Sequence, residues 1–364
     1  MSPARSVLFQ NEKKTVIVLD LPSTIEEAQL AAAEVHAGKK LDRRLVSAPP
    51  PDRPFSTPEP KHGKVTGGAH QGSLTSAAHV AELMTLAAVE NALNDLSKCY
   101  AGPWCLPRIV DDEVKEEEDS SGTKKRKAVE DEASEELTSE DVYMPSDSHH
   151  LHGTIQSKRD SFLTTAPTFN LIILDPPWPN RSARRKTGKG TYTVAYDLDS
   201  IRSLLSSIPV AAHLSPNGLV AVWVTNAGRF VELLTAPVRG IFAEWGLELI
   251  DDWTWLKVTS KGEPIVDVHS TWRKPWERLL IARRIGSHVK MGEGAGKVIV
   301  SVPDLHSRKP NLRGLFEEVL GHQFTGLEVF ARSLTAGWWS WGDDVLCFQK
   351  SEYWRKGDTQ ENET

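Results

Sequence analysis

The sequence predicts an α/β protein, with a small N-terminal α+β module and a disordered acidic linker ahead of the main domain. Three observations carry this. Leu171 to Leu174 is an unbroken apolar run, the mark of a strand buried on both faces, and it ends at Asp175. From about Thr164 onward, apolar runs alternate with helical patterns. Between Asp111 and Ser148 aromatics nearly vanish and Ser, Thr and Glu dominate, a composition that buries too little surface to fold. The expected organisation is a module over 1–110, the charged segment over 111–150, the main domain over 151–350 and a polar tail over 351–364.

At 364 residues, 25% charged and 39% apolar, the chain has an ordinary globular composition and room for about two domains. A net charge of −6 provides no global basic field, so any nucleic-acid footprint has to be local. Cys99, Cys105 and Cys347 form no CxxC pair and read as reduced residues of an intracellular protein. No apolar run approaches the ~18 residues of a membrane span, and Val7 to Phe9 is too brief for a signal peptide. These features predict a soluble protein with no membrane partner.

In chain order, Thr15 to Leu19 is β-branched and apolar, a strand that Pro22 breaks. Ser23 and Glu26 have the spacing of a capping box opening a helix through about Val35. Gly38 to Gly72 turns to Pro, Gly, Lys and His and reads as a linker. Leu83, Leu86, Val89, Leu93 and Leu96 give a helix over about 76–96. Within the charged segment, Lys124-Lys125-Arg126-Lys127 has the character of a nuclear-import signal, which predicts a nuclear protein. His149, His150 and His152 lack a partner Cys or carboxylate cage, so no metal is expected there. Further on, Ile201 to Ile208 reads as a helix and Gly218 to Val224 as a buried strand. A helix around Phe230 to Trp245 is interrupted near Pro237, and strands follow over Leu247–Val258 and Arg278–Ile285. Trp253, Trp255, Trp272 and Trp276 are core and rim aromatics. Gly292 to Gly296 lacks the full G-x-G-x-x-G and is a turn between strands.

The chemistry concentrates at Asp175-Pro176-Pro177-Trp178. A charge at the carboxyl end of a parallel strand lies where open α/β sheets bind ligands. The prolines hold the backbone extended and donate nothing, leaving their carbonyls to accept. This set suits methylation of an exocyclic base amine. The lone pair of adenine N6 is delocalised into the ring, and a carboxylate and a carbonyl accepting its hydrogens would localise it. The indole of Trp178 is expected to stack on the base, at about 1–3 kcal/mol. The loop that follows holds Asn180, Arg181, Arg184, Arg185, Lys186 and Lys189 among glycines, a local basic footprint suited to phosphates. Lys309 precedes a helix with Leu312, Leu315, Phe316, Val319 and Leu320, and there it can pair with a carboxylate. A strand over Gly326–Ala331 leads to Arg332. Asp343 and Asp344 after Gly342 can grip ribose hydroxyls, or form the polar turn of an aromatic hairpin.

Together these pieces resemble the MT-A-seventy family of adenine-N6 methyltransferases. The Asp-Pro-Pro-Trp turn, the Ser307-Arg308-Lys309-Pro310 stretch and the Leu327-to-Arg332 segment with Gly337-Trp338…Trp341-Gly342 occur in that family's order. Asn180-Arg181-Ser182, Val222 to Asn226 and Arg273 to Glu277 are similar, more narrowly, to the methyltransferase-like four branch. The likeness spans about residues 166–350. It implies a Rossmann-like fold that uses S-adenosylmethionine. Asp175 to Trp178 would then bind the target amine beside the donor methyl, with Lys309 on the methionine carboxylate. Arg332, Gly342, Asp343 and Asp344 would lie at the ribose, and Gly153 to Ile155 near the adenine. Catalytic relatives usually carry Asn, then Gln or Glu, where this chain has Asp343-Asp344, and the segment after Arg332 is shorter here. The implied substrate is adenosine in RNA, foremost 2′-O-methyladenosine of a small nuclear RNA. Adenine in DNA is the alternative, as is a nucleic-acid-binding scaffold without activity.

Overall fold

The computed structural model describes residues 5–56, 76–111, 142–179, 197–270, 273–292 and 296–357. One sheet organises them. Across it run β1 (Val7–Gln10), β2 (Val16–Leu19), β9 (Val298–Ser301), β7 (Leu247–Lys257), β8 (Trp276–Arg284), β6 (Leu214–Val224), β5 (Phe169–Leu174), β10 (Gly326–Val329), β11 (Trp339–Gly342) and β4 (His149–His152). The five strands from β6 to β4 are mutually parallel, and β8 lies antiparallel to both β6 and β7. A second, two-stranded sheet pairs β3 (Arg43–Leu45) with β12 (Trp354–Lys356).

β5 sits in the interior of the large sheet, and its apolar run follows from that position. Ile172 and Leu174 enter one core with Val220, Val222 and Leu280. Leu171 and Ile173 enter another with Leu219, Ala221, Leu279 and Ile281. With both faces buried, the run Leu171 to Leu174 is apolar throughout, and the polar Asn170 sits near the start of the strand, where it is only partly buried. Helices α4 (Ile155–Thr165), α5 (Leu198–Ser206), α7 (Gly228–Thr235) and α8 (Ile241–Glu244) cover the first face, and α6 (Val210–His213) leads into β6. The opposite face is covered by α1 (Leu21–Ala28) and α9 (Arg313–Leu320). The long α3 (Ser76–Cys99) packs Val89, Ala92 and Leu96 in a further core with residues of β2, β7 and β9.

The N-terminal segment is not a separate module, contrary to the sequence expectation. β2 pairs in parallel with β9, and α1 places Leu21 and Ile25 in the core under β5. All four residues of β2 are buried, so the strand needs neighbours on both faces as well as at its edges. Pro22 does not break the chain. It lies in the first turn of α1, where a missing N–H is no loss, and Asp20 rather than Ser23 caps the helix by accepting the Ser23 N–H at 3.1 Å. Glu26 instead accepts from Arg44 and the Leu45 N–H at 2.8 and 2.9 Å. The helix stops at Ala28, and a separate turn, α2 (Ala32–His36), follows.

Two boundaries also move. β4 begins in the last two residues of the segment expected to be disordered, so the main domain begins before residue 150; residues 112–141, including Lys124 to Lys127, lie outside the described residues. The expected polar tail carries β12, and Trp354 is 5% exposed with its indole N–H on the Phe348 carbonyl at 2.9 Å. Trp354→Ala is expected to lower unfolding free energy by about 3–5 kcal/mol in urea titration, as loss of a buried aromatic does. A midpoint unchanged from the native protein would show the tail to be dispensable.

Candidate active site

β5 and β10 are neighbours, yet the chain leaves β5 toward β6 on the other side and returns to β10 much later. This is a switch point, and it opens a crevice beyond the carboxyl ends of the strands. Asp175 stands there, its N–H on the Val329 carbonyl at 3.3 Å. The turn that follows closes on itself, with the Trp178 N–H donating to the Pro176 carbonyl at 2.7 Å. That carbonyl therefore keeps one lone pair for another donor.

Trp178 does not present the open face expected of it. The residue is 7% exposed, its ring packs on Phe230 at 4.8 Å, and its indole N–H donates to the Trp223 carbonyl at 2.7 Å. A large apolar ring with one donor is best satisfied in a core that offers an acceptor, and β6 supplies one. Trp178 thus latches the turn to the neighbouring strand, while Pro177 lines the cleft.

Asp175 belongs to a chain of alternating charges. Lys309 lies 3.0 Å from Asp175 and 3.2 Å from Glu277, and Lys257 lies 2.5 Å from Glu277. Local structure explains the placement. Trp255 pairs with Glu277 across β7 and β8, so Lys257 is the diagonal neighbour of Glu277 on the same face. Burial would push Glu277 up, but Lys257 and Lys309 hold it down at about 2. Burial would likewise lower Lys309, but Asp175 and Glu277 raise it. Glu328 lies opposite Ile173, two residues before Asp175, and so faces the same cleft. Burial, then the Asp175 charge, push it up to about 7 against the pull of Lys309.

The loop that carries Lys309 is braced by the N-terminal segment. The Ala48 N–H donates to Asp304 at 2.7 Å, and Arg308 reaches both Asp304 and the Val46 carbonyl at 2.6 and 2.8 Å. Thr24 accepts the Asn311 N–H at 3.0 Å.

The cleft has two compartments. One is lined by Asp175, Lys309, Glu328, Asn311, Ser333 and Trp223 among others. The other is lined by Thr154, Ile155, Pro177, Leu204, Asp343 and Asp344 among others. Phe330 and Arg332 border both. Phe330 holds a φ of 62°, and its N–H donates to the Trp341 carbonyl at 2.7 Å. Such a conformation in a bulky residue costs about 1–3 kcal/mol and is kept where the surroundings enforce it. Gly342 permits the close approach, because a Cβ there would lie 3.1 Å from the Ala331 carbonyl oxygen. Arg332 lies 3.7 Å from Asp344. Burial and then Asp344 raise the pKa of Asp343. Gly153 donates to the Gly342 carbonyl at 3.1 Å, which brings the 153–155 segment beside the paired aspartates.

The structure therefore gathers Asp175, Pro176, Pro177, Lys309, Arg332, Gly342, Asp343 and Asp344 around one cleft and puts Trp178 behind it. Asn180, Arg181, Arg184, Arg185, Lys186 and Lys189 lie outside the described residues, as do Trp272 and Gly294. Trp253, Trp255 and Trp276 are buried in the cores. His149, His150 and His152 run along β4 in register with β11, and His149 stacks on Trp339 at 5.0 Å. Sequence reasoning missed Lys257, Glu277 and Glu328. Glu328 did carry a signal, a lone acid inside the apolar run Leu327-Glu328-Val329.

The donor set fits S-adenosylmethionine. Acceptors at Asp343 and Asp344 suit ribose hydroxyls, Ile155 and Leu204 offer apolar walls for a flat base, and Lys309 and Asp175 suit the two charges of an amino-acid tail. A switch-point cleft built this way places the protein among the Rossmann-like methyltransferases. The comparisons agree. The MT-A70 family model matches residues 169–344. The chain is 54% identical over 354 residues to the N6-methyladenosine RNA methyltransferase MTA1 of Cryphonectria parasitica, covering 96% of this chain and 94% of that one. It is 46% identical to the protein of the same name from Pyricularia oryzae, over 96% of both. It is also 33% identical to human N(6)-adenine-specific methyltransferase METTL4, over 51% of this chain and 39% of that one. The chain belongs to the MT-A70 family and is an S-adenosylmethionine-dependent adenine-N6 methyltransferase.

Two expectations follow. Trp178→Phe keeps a ring but leaves the Trp223 carbonyl without its donor, so chemical denaturation should show a loss of about 1–3 kcal/mol; no loss would refute the latch. The second concerns pH. Because Glu328 is raised from 4.5 to about 7, its contribution to stability is complete below 4.5 and is lost as pH rises to about 7. Glu328→Gln stays neutral throughout, so its melting temperature should gain on that of the native protein between pH 5 and pH 8. Parallel pH profiles would show that Glu328 does not titrate in this window.

Proposed function

We propose that this protein methylates N6 of an unpaired adenosine in RNA. The observation that carries the reading is Asp175, a carboxylate held by Lys309 in the cleft beyond the carboxyl ends of β5 and β10. In this reading Asp175 accepts one N6 hydrogen while the remaining lone pair of the Pro176 carbonyl accepts the other. The nitrogen pair is thereby drawn out of the ring and aimed into the cleft. S-adenosylmethionine supplies an electrophilic methyl group when bound. Lys309 fixes the Asp175 carboxylate through one oxygen, Oδ2, leaving Oδ1 to meet the amine. Its third N–H can bind the cofactor's carboxylate, since Asp175 and Glu277 take two. Asp343 and Asp344 grip the ribose with Arg332 behind them, and the 153–155 segment flanks the adenine. In the compartment that holds Lys309, Asp175 and Glu328 are carboxylates to which the surplus amine proton can pass.

RNA is favoured over DNA because the two relatives aligned over 94% and 96% of their lengths bear the name RNA methyltransferase. A Caenorhabditis elegans protein named DNA N6-methyl methyltransferase matches at 34% identity, over 50% of this chain. The finer form of the reading is 2′-O-methyladenosine in a small nuclear RNA, reached in the nucleus through Lys124 to Lys127, with Arg181 to Lys189 on the phosphates. An adenosine flipped from or absent from a duplex is required either way, because pairing occupies N6.

The test is transfer of labelled methyl from S-adenosylmethionine to matched single-stranded RNA and DNA, with and without a 2′-O-methyl on the target. RNA should be preferred, and Asp175→Asn should lose at least about 100-fold in rate. Preference for DNA would overturn the substrate assignment, and an Asp175→Asn protein as fast as native would overturn the role of the carboxylate.

A further inference from the structure

A second cluster of ligating side chains lies away from the cleft. Gly321 ends α9 with a φ of 81°, its N–H on the Glu317 carbonyl at 3.0 Å. This left-handed bend is open to glycine. It turns the chain back so that His322 Nδ1 comes within 3.3 Å of Glu317 Oε2. From the other side, His36 at the end of α2 brings its Nε2 to 2.7 Å from the same oxygen. The imidazoles meet edge to face, with centroids 4.3 Å apart. We propose that His36, Glu317 and His322 form a binding site for a divalent transition-metal ion of the zinc class.

The geometry supports this in three ways. The ligand atoms all lie within 4.8 Å of one another. Tetrahedral zinc, with bonds of about 2.0–2.2 Å, sets its ligands about 3.3–3.5 Å apart, so shifts of well under a rotamer change admit the ion. The carboxylate is also preset. Glu317 is 9% exposed, and Arg313 lies 3.8 Å from its other oxygen, Oε1. Arg313 is itself held by the Leu30 and Glu27 carbonyls at 2.8 and 2.9 Å. An oriented ligand backed by a fixed outer partner is the usual build of a metal site. Access is open, because the His36 and His322 side chains are 34% and 54% exposed. That leaves room for water as a fourth ligand.

The ligand types select the ion. Two imidazoles with one carboxylate suit zinc, copper or nickel and do not suit magnesium or calcium, which take oxygen sets. An ion here would tie α2 to α9, the helix that begins just after the Lys309 loop. It would thus staple the N-terminal segment to the part of the core it braces, remote from the reaction itself.

The experiment uses full-length protein stripped with chelator and titrated with zinc alone, followed by calorimetry and by melting temperature. We expect one ion bound, a rise in melting temperature that chelator reverses, and no response to magnesium. His36→Ala with His322→Ala should weaken binding by at least about 100-fold, beyond the 10–100-fold that losing an outer partner costs. His36→Gln with His322→Gln retains hydrogen bonds to Glu317 and controls for folding. It should melt like the stripped native protein and still lose the ion. Absence of zinc binding would overturn the proposal. So would binding that survives both double variants, or binding lost instead on replacing His149, His150 and His152.

Discussion

The ion pair between Asp175 and Lys309 is the interaction on which the rest of the site depends. The Asp175 carboxylate stands at the end of a buried strand, where a cation beside it offsets the cost of leaving water. Lys309 is that cation, but one lysine between two acids needs a further counter-charge, which Lys257 supplies beyond Glu277. The four groups balance: two cations, two anions. Glu328 faces the same cleft, and burial, then the Asp175 charge, push it up to about 7 against the pull of Lys309. Buried ion pairs of this kind add little net stability. Their effect is to fix where the Asp175 carboxylate points.

Much of the remaining architecture keeps that carboxylate and its lysine in place. Asp175 comes from a strand whose alternate residues are locked into two cores, and Trp178 ties the following turn to β6. Lys309 comes from a loop, which has no such ladder. It is held instead by Arg308, Asp304 and Asn311, whose partners at Val46, Ala48 and Thr24 all belong to the N-terminal segment. Thr24, Val46 and Ala48 therefore brace the Lys309 loop, and β1 and β2 extend the sheet that carries Asp175.

The cleft also explains its own division. Phe330 turns the chain at a strained φ between the two compartments, and glycine at position 342 lets the neighbouring backbone come close enough to hold that turn. The acidic pair Asp343-Asp344 then sits beside the start of α4, with Arg332 offsetting part of its charge. Relatives with amides at these positions would carry less charge at this end of the cleft.

Short-range pattern was enough to read the α/β class and β5 and to single out the Asp-Pro-Pro turn, Lys309 and the paired aspartates, which the fold brings to one cleft. Apolar runs, proline pairs and helix periodicity are properties of neighbours in the chain. The sequence by itself thus determined which residues stop at the strand ends and what chemistry they bring. Tertiary structure decided what each of them meets. Trp178 has the same covalent neighbours whether it stacks on a base or anchors a core, and only the Trp223 carbonyl and Phe230 settle it as an anchor. Lys257 and Glu277 are ordinary strand residues until β7 and β8 pair in a register that sets them diagonal. The N-terminal segment reads as a module because its strand and helices are locally complete, while the edge it pairs with lies nearly three hundred residues away in the chain. Charge pairing and strand pairing act through space, and that is the part a linear reading cannot supply.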